Sequence, residues 1–164
     1  MVDIVDSITR SRMMAAVKSS NTKPELQIRQ ILHKRGFRFR LHEKKLPGKP
    51  DIVLPKYRAV IFINGCFWHG HDNCRFFKLP ATRTDFWKEK ISKNKFNDAN
   101  VIASLLASNW RVCIIWQCKI RELKKDLTGL ADTVSKFIKG QEPFLELRDN
   151  QEIFLNKNRG SQKI

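Results

Sequence analysis

The chain has 164 residues, the length of one domain, and its 41% hydrophobic against 29% charged residues exclude a disordered protein. Thirty-two Lys and Arg against sixteen Asp and Glu give a net charge of +16, and residues 1–50 carry +8 of it. Bases concentrated in one third of the chain predict a polyanionic partner. The alternative is a generally basic, solvated surface.

Nothing in the sequence predicts a membrane protein. No apolar run of about 18 residues exists, and no basic amphipathic helix stands out. The first residues carry acids where a signal peptide needs bases. We therefore expect a cytoplasmic protein without a membrane partner.

The predicted elements begin with an N-terminal arm, residues 1–20, that ends in a short helix. Thr22, Pro24 and Glu25 have the pattern of a capping box, which predicts a helix to about Arg35. Four apolar residues should face inward: Leu26, Ile28, Ile31 and Leu32.

Short strands and a loop follow this helix. Alternation predicts a strand at 37–41, and apolar runs predict strands at 51–54 and 59–63. A turn occupies 46–50, and a loop rich in Gly, Cys, His and aromatic residues fills 64–80.

The second half alternates helix and strand. We expect Thr84 to cap a long helix, with a break, that reaches about Ser108. A strand at 111–116, a helix near 121–139 and two tail strands at about 144–148 and 151–155 complete the order. This order predicts an α/β fold with a mixed β-sheet flanked by helices, in a single domain at 21–164.

Cysteine and histidine spacing predicts a metal site. Cys66, Cys74 and a histidine lie on one loop, and Cys118 follows a distant strand. Three thiolates and one imidazole in a closed site select zinc. His69 and His71 are nearly equal candidates for the fourth ligand, and the alternative to a metal site is free thiols with a surface histidine. Cys113 lies in an apolar strand, which favours core packing.

Two carboxylates are candidates for catalysis. Asp51 opens an apolar strand beside the end of the next strand, a common arrangement for holding Mg²⁺. The alternative is an ordinary turn or strand-cap residue. Glu25 has the equally simple interpretation of a capping-box partner.

Aromatic and polar residues around the loop suit nucleic acid. Phe67 and Trp68 either form a wedge that enters between base pairs or cover the sheet. Trp87 begins the next helix, on which Lys90 and Asn94 share a face and could reach base edges. The alternative is a solvated basic face.

Three motifs in order carry a resemblance to a known family: LPGKPD at 46–51, GCFWHGH at 65–71 and PATRTDFW at 80–87. Thr22-Lys23-Pro24-Glu25, FRFR at 37–40 and Gln117-Cys118 extend it over about residues 5 to 120. The chain resembles the very-short-patch repair (Vsr) endonucleases.

The resemblance implies a fold, an activity and partners. It implies a PD-(D/E)xK nuclease fold that nicks duplex DNA 5′ of the T in a T:G mismatch left by deamination of 5-methylcytosine. A DNA cytosine methyltransferase and a repair polymerase would be functional partners. We expect a monomer associated with the bacterial nucleoid.

The resemblance also implies roles for individual residues. Asp51 would bind catalytic Mg²⁺ with the backbone carbonyl of Ile63, Glu25 would order metal-bound water, and His69 would be the acid/base group. A structural zinc would take Cys66, His71, Cys74 and Cys118. DNA contacts would come from a wedge of Phe67, Trp68 and Trp87, from Met14 in the minor groove on the 1–20 arm, and from Lys90 and Asn94 at the mismatched pair.

Several positions depart from the family pattern. Asn64 stands where the pattern has His, and an amide can orient water or phosphate but cannot shuttle a proton. Gln117 replaces Glu, Asn97 replaces Arg, and one extra residue separates His71 from Cys74. Two other functions stay open: a Vsr-like nicking nuclease of different specificity, serving restriction or defence, and a non-catalytic, zinc-stapled protein that binds distorted DNA.

Overall fold

A computed structural model describes residues 6–149 and the backbone of 151–154. The helices are α1 (Ser7–Ala15), α2 (Lys23–Lys34), α3 (Thr84–Ala107), α4 (Gln117–Leu123) and α5 (Thr128–Lys139). The strands are β1 (Arg40–Leu41), β2 (Ile52–Leu54), β3 (Ala59–Asn64), β4 (Arg111–Trp116), β5 (Phe144–Arg148) and β6 (Gln151–Phe154). In the described part of the chain, no helix has both the length and the apolar character needed to cross a membrane.

The six strands form one mixed sheet in sequence order, β1 to β6. The pairs β3–β4 and β4–β5 are parallel, and the other pairs are antiparallel. The prediction of a mixed sheet is confirmed. The parallel register sets Asn64 opposite Trp116. The carboxyl ends of the two central strands β3 and β4 therefore lie side by side, and this end of the strands is called the sheet edge below.

Helices cover both faces because side chains alternate along each strand. One face, with Cys113 and Ile115, packs with buried residues of α2 and α5. The other face, with Val112 and Ile114, packs with Leu105 of α3 and with Cys66, Cys74 and Cys118. The predicted flanking of the sheet by helices is therefore also confirmed.

The start of α2 differs in detail from the predicted capping box. The Thr22 hydroxyl accepts from the Glu25 amide at 3.5 Å, as expected for an N-cap. Glu25 Oε2, however, accepts from the amide of Asn21 at 2.9 Å, one residue earlier than the box requires. Of the four predicted inward residues, Ile28 and Leu32 are buried and Ile31 is partly buried, but Leu26 is 46% exposed, so its placement was wrong.

Of the strand predicted at 37–41, only the last two residues form a strand in the structure. β2 has three residues, and only Arg40 and Leu41 find partners on it. Phe37 is buried in the core and Phe39 packs against it without joining the ladder.

Three predictions about helices were wrong. Thr84 is the first residue inside α3 rather than its cap, because Arg83 before it takes a left-handed conformation with φ of 52°. The helix is continuous over 24 residues, without the expected break. The single helix expected near 121–139 is divided in two at Lys124, whose φ is 55°, and Asp126 accepts from the Thr128 amide where α5 begins.

The tail hairpin is confirmed as β5 and β6, which pair antiparallel. The structure ends β6 at Phe154, and residue 155 of the predicted strand lies outside the described residues. β5 extends the sheet beside β4, which brings residues 146–149 close to the loop that follows β3.

Candidate active site and metal centre

A group of three thiols and one imidazole forms where the loop after β3 meets the start of α4. The ligand atoms of Cys66, His71, Cys74 and Cys118 all lie within 4.8 Å of one another, and all four residues are buried. The loop supplies three of them, and Cys118 arrives from α4 directly after β4 because β3 and β4 are parallel neighbours. Such a convergence of soft donors fits a tetrahedral metal ion.

The imidazole in this group belongs to His71. Its Nδ1 lies 3.4 Å from Cys118 Sγ, and its ring stacks on Trp116 with centroids 4.0 Å apart and planes 4° apart. Arg148 Nε donates to His71 Nε2 at 2.9 Å, and Asp149 accepts from Cys118 at 3.6 Å. The ring is therefore fixed by contacts with Trp116 of β4, Cys118 of α4 and Arg148 of β5.

The cysteines differ in their electrostatic environment. A hydrogen bond from the Cys118 thiol lowers the pKa of Cys66 and raises that of Cys118. Burial alone raises the pKa of Cys113, which lies on the opposite face of the sheet in the other core cluster. Cys113 therefore sits apart from the thiol group.

Asp51 lies at the end of the turn that leads into β2. Its Oδ2 accepts from the backbone amide of Ile63 at 2.8 Å, which fixes the carboxylate on β3. Burial raises the pKa of Asp51 to about 6, the charge of Glu25 acts in the same direction, and the Ile63 hydrogen bond opposes both. The second oxygen, Oδ1, lies 3.8 Å from His42 Nδ1.

Glu25 and His42 complete a second group of possible ligands with Asp51. One ligand atom from each lies within 4.8 Å of the others. Glu25 Oε2 lies 3.6 Å from His42 Nε2, and Arg29 Nη2 contacts both, at 2.8 Å from the carboxylate and 2.9 Å from the imidazole. The fold thus brings Glu25 to Asp51, although 26 positions separate them in the chain.

His69 lies outside the thiol group and forms a separate pair. Its Nδ1 is 2.6 Å from Asp98 Oδ2 on α3, and each side chain is about one third exposed. Its ring centroid is 6.3 Å from that of Trp116. Asn64 is buried at the end of β3, one residue after Ile63. Asp51, Asn64 and the His69–Asp98 pair therefore gather at the carboxyl ends of β3 and β4.

An aromatic cluster, defined here as Phe67, Trp68, Phe77, Phe86 and Trp87, joins the loop to the start of α3. Phe67, Trp68 and Trp87 contact one another edge to face, with centroids 5.2 to 6.0 Å apart. Phe67 and Trp68 are half-buried. Both rings pack on Trp87 of α3, and the Phe67 ring also packs on Phe77. Both side chains keep part of their surface exposed to solvent.

The polar residues assigned to base contacts are partly engaged within the protein. Lys90 Nζ lies 5.7 to 5.8 Å from the ring centroids of Trp68, Phe86 and Trp87. Asn94 Nδ2 donates to the Trp68 carbonyl at 2.8 Å. Met14 lies on α1, is 37% exposed, and belongs to a helix that buries none of its residues.

The sequence is similar to those of known proteins over most of its length. A family model described as DNA mismatch endonuclease Vsr matches residues 2–75. The DNA mismatch endonuclease Vsr of Escherichia coli K12 is 42% identical over 157 residues, which cover 94% of this chain and 99% of that protein. This chain belongs to the Vsr family.

Other relatives carry the name of nicking enzymes. The type II nicking enzyme V.XorIIP of Xanthomonas oryzae pv. oryzae is 48% identical over 123 residues, covering 75% of this chain and 90% of that protein. The type II nicking enzyme V.NmeAIP of Neisseria meningitidis is 43% identical over 121 residues, covering 74% and 86%. The Vsr match to residues 2–75 takes in Glu25, Asp51, His69 and the loop ligands, and ends before Cys118 and α3.

Sequence reasoning missed several residues at this Vsr site. Asp98 continues the four-residue spacing of Lys90 and Asn94, and that spacing was the available signal. His42 directly follows β1, but a single histidine after a two-residue strand gives no pattern. Arg29 and Arg148 could not be recognised from the sequence as site residues, because the chain has 32 Lys and Arg and only their contacts set these two apart.

Proposed function

We propose that this chain is a Mg²⁺-dependent endonuclease that nicks duplex DNA 5′ of the T in a T:G mismatch. It would act as a monomer where a DNA cytosine methyltransferase creates 5-methylcytosine, and a repair polymerase would then replace the short patch. The mixed sheet would serve as a PD-(D/E)xK-like scaffold. Membership of the Vsr family and 42% identity to the E. coli enzyme along most of the chain support this proposal.

One observation carries the catalytic part of the proposal. The buried carboxylate of Asp51 and the partly exposed His69–Asp98 pair lie at the same sheet edge, where β3 and β4 end. Phosphodiester hydrolysis of this kind needs a carboxylate that can hold a hard cation and a histidine that can transfer a proton. Asp51 would supply the first group and His69 the second.

The oxygen ligands at this edge fit Mg²⁺. Asp51 Oδ1 makes no hydrogen bond to Ile63, so it is the oxygen that would hold the ion, together with the carbonyl of Ile63. Bound Mg²⁺ would supply charge stabilisation at the cleaved phosphate and a more acidic water. Glu25 would orient water through the carboxylate oxygens that Asn21, Thr22 and Arg29 hold in place.

His69 would move the proton at the cleaved phosphate. Asp98 occupies its Nδ1 at 2.6 Å, which fixes the ring and leaves Nε2 for the exchange. Asn64, buried at the strand end, would orient water or a phosphate oxygen through its amide.

Asp98→Asn should slow nicking about tenfold to a hundredfold at saturating DNA, because the amide cannot hold His69 in one tautomer as a carboxylate does. Single-turnover rates measure the effect, and duplex affinity should not change. Asp72→Asn is the matched control, since it removes another ion pair between the loop and α3, at 2.7 Å to Lys95. Equal rates for the two variants would remove Asp98 from the mechanism.

A structural zinc would hold the loop that carries His69 and the aromatic residues. Cys66, His71, Cys74 and Cys118 would be its ligands, and three thiolates with one imidazole are the donors zinc prefers. A loop of this polarity has little core of its own. Tying it to α4 would keep His69 and Trp68 in register with the sheet edge.

Mismatch recognition would use the aromatic cluster. Phe67, Trp68 and Trp87 form one group of edge-to-face rings that is only partly buried, which would suit a wedge entering a base step from the major groove. Lys90 and Asn94 would read the mismatched pair, and Met14 on the N-terminal arm would enter the minor groove. The net charge of +16 would supply sequence-independent affinity that falls with salt.

Trp68→Ala should reduce the preference for T:G over T:A duplexes by about 1–3 kcal/mol, since a stacked aromatic ring contributes about that much. Binding titrations on both duplexes at two salt concentrations give the preference. Phe96→Ala is the control, because Phe96 is an exposed α3 aromatic outside the aromatic cluster. If Trp68→Ala weakens both duplexes equally, the wedge is refuted.

The proposed activity is tested by mapping nicks. Purified protein with Mg²⁺ is incubated with end-labelled duplexes that hold T:G, A:C or no mismatch. We expect one nick, in the T strand only, immediately 5′ of the mismatched T. No nick in any duplex, with mismatch binding intact, would instead support the non-catalytic binding protein.

A second candidate is a Vsr-like nicking nuclease of different sequence specificity. It is favoured by the relatives named type II nicking enzymes and by Asn64, which departs from the family pattern next to the catalytic edge. Varying the bases on either side of T:G in the same assay separates the two candidates. Nicking at one flanking sequence without any mismatch would establish the second.

A further inference from the structure

Two arginines lie over one aromatic ring beside the thiol group. The guanidinium carbon of Arg75 is 4.8 Å from the ring centroid of Phe76, and that of Arg121 is 5.0 Å from the same centroid. Both arginines are exposed, and Phe76 is half-buried against the core on the α3 side of the sheet. The two guanidinium carbons are therefore at most about 10 Å apart. Arg75 and Arg121 are called the arginine pair below.

The two arginines come from distant parts of the chain, and the thiol group joins those parts. Arg75 directly follows Cys74, and Arg121 lies three residues after Cys118 on α4. The Sγ atoms of Cys74 and Cys118 lie within 4.8 Å of each other. The contacts that bring the loop to α4 therefore also set the spacing of the arginine pair.

No acidic group neutralises the arginine pair among residues 6–149. Neither guanidinium forms an ion pair or a side-chain hydrogen bond there, although Glu122 directly follows Arg121. Attraction between each cation and the ring holds the two charges in place, since water and salt weaken their mutual repulsion at this distance. Two guanidinium groups presented together without a counter-charge form a site for an anion.

The location of the arginine pair favours the DNA backbone as this anion. Phe77, the residue after Phe76, packs on Phe67 of the aromatic cluster with ring centroids 6.3 Å apart. A duplex that receives this cluster in one base step continues past it on both sides, so the arginine pair lies beside one flank. Phosphates of one strand follow one another about every 3.4 Å along the helix axis, and guanidinium groups bind phosphate oxygens through two parallel hydrogen bonds. The arginine pair can therefore contact neighbouring phosphates of one strand.

We propose that the arginine pair binds the DNA backbone on one side of the mismatch. It adds affinity that does not depend on base sequence, and it holds the duplex while the aromatic cluster enters the base step. The inference rests on the proposed function only in taking duplex DNA as the substrate. It adds to that function a backbone contact, made where the thiol group joins the loop to α4.

Removing both charges should weaken binding to matched and mismatched duplexes by the same factor. Full-length Arg75→Gln/Arg121→Gln, with its thiol group filled with zinc, is titrated with T:G and T:A duplexes over a range of salt concentrations. We expect both affinities to fall about tenfold to a hundredfold, and the slope of log affinity against log salt to become less steep by about two. The ratio of T:G affinity to T:A affinity should not change.

The control removes two other charges that lie over aromatic rings. Lys56 lies over Tyr57 at 5.6 Å and Lys139 lies over Phe37 at 5.7 Å, and these two rings pack edge to face. Tyr57 precedes β3, so this group lies at the opposite end of the strand from the sheet edge. Lys56→Gln/Lys139→Gln changes the net charge equally but should alter the salt slope by much less than about one.

Shortened duplexes locate the contact. Two further T:G duplexes are cut back on one or the other side of the mismatch, and the wild type and the arginine variant are compared on each. The difference in affinity should vanish on one shortened duplex and persist on the other, because the arginine pair contacts one flank only.

Several outcomes would overturn the inference. They are equal binding by the arginine variant and the control variant, a difference that persists on both shortened duplexes, or a loss of T:G preference in the arginine variant. Nick mapping on the wild-type protein tests the proposed function separately. A binding defect in the arginine variant without wild-type nicking at T:G would refute the proposed function alone, and correct nicking without a binding defect would refute the arginine pair alone.

Discussion

Asp51→Asn should reduce nicking at least about a hundredfold and leave mismatch binding intact. Asparagine keeps the shape and can still accept from the Ile63 amide, but it lacks the charge that holds a divalent cation. A positioned metal ion stabilises the transition state by several kcal/mol, which sets the size of the effect. Single-turnover nicking and duplex titration, measured on one preparation, separate the two properties.

The same substitution should stabilise the metal-free protein at neutral pH. Burial raises the pKa of Asp51 to about 6, so the folded chain holds this proton to higher pH than the unfolded chain does. The stabilisation from the protonated form is complete below the unfolded pKa of about 4 and is lost as the pH rises through about 6. Above that pH the asparagine variant should be more stable than wild type by about 2 kcal/mol, and near pH 4 the two should match.

The control for both measurements is Asp132→Asn. Asp132 is exposed and pairs with Arg35 at the end of α2, so its loss should alter neither nicking nor the pH profile of stability. Near-normal nicking by Asp51→Asn would remove Asp51 as the metal ligand. A stability difference that does not vary with pH would show that the Asp51 carboxyl titrates normally in the folded chain.

Cys118→Ser should release the zinc and lower the free energy of unfolding by several kcal/mol. Four buried donors converge within 4.8 Å where the loop after β3 meets α4. A zinc ion that joined them would couple the two segments and would bind only the folded chain. Apparent zinc-binding free energies of about 10–16 kcal/mol in small zinc domains show how large this coupling becomes. Elemental analysis gives the zinc content, and chemical denaturation with and without chelator gives the stability.

Cys113→Ser is the matched variant because it makes the same chemical change at a buried cysteine of the neighbouring strand. Its thiol lies in the other core cluster, so the variant should keep one zinc per chain and lose only about 1–3 kcal/mol for a buried hydroxyl. Chelator should then destabilise Cys113→Ser and leave Cys118→Ser unchanged. Zinc loss from Cys113→Ser with retention by Cys118→Ser would mean that the ligand set is wrong.

Local sequence signals predicted the regular elements where those elements depend on their own residues. Thr22 before Pro24 and Glu25 predicted the start of α2, and apolar runs predicted β2, β3 and β4. The local signals failed where contacts with another element, or the backbone conformation of an adjacent residue, determine whether an element forms. Residues 37–39 have strand character but find no partner on β2, and a left-handed Arg83 rather than a capping side chain begins α3.

By itself, the sequence determined the mixed α/β fold, the Vsr family and the kinds of residue needed for the site. These follow from periodicity and from motifs of adjacent residues, whose information is local. Only the tertiary structure decided which groups meet. Parallel pairing of β3 and β4 brings Cys118 to His71 and separates His69, while α3 adds Asp98 and α2 adds Arg29. The His69–Asp98 and His71–Cys118 contacts join residues that are 29 and 47 positions apart in the chain, so no local pattern encodes them. The Arg29–Glu25 contact lies within α2, but the sequence does not distinguish Arg29 from the many other basic residues.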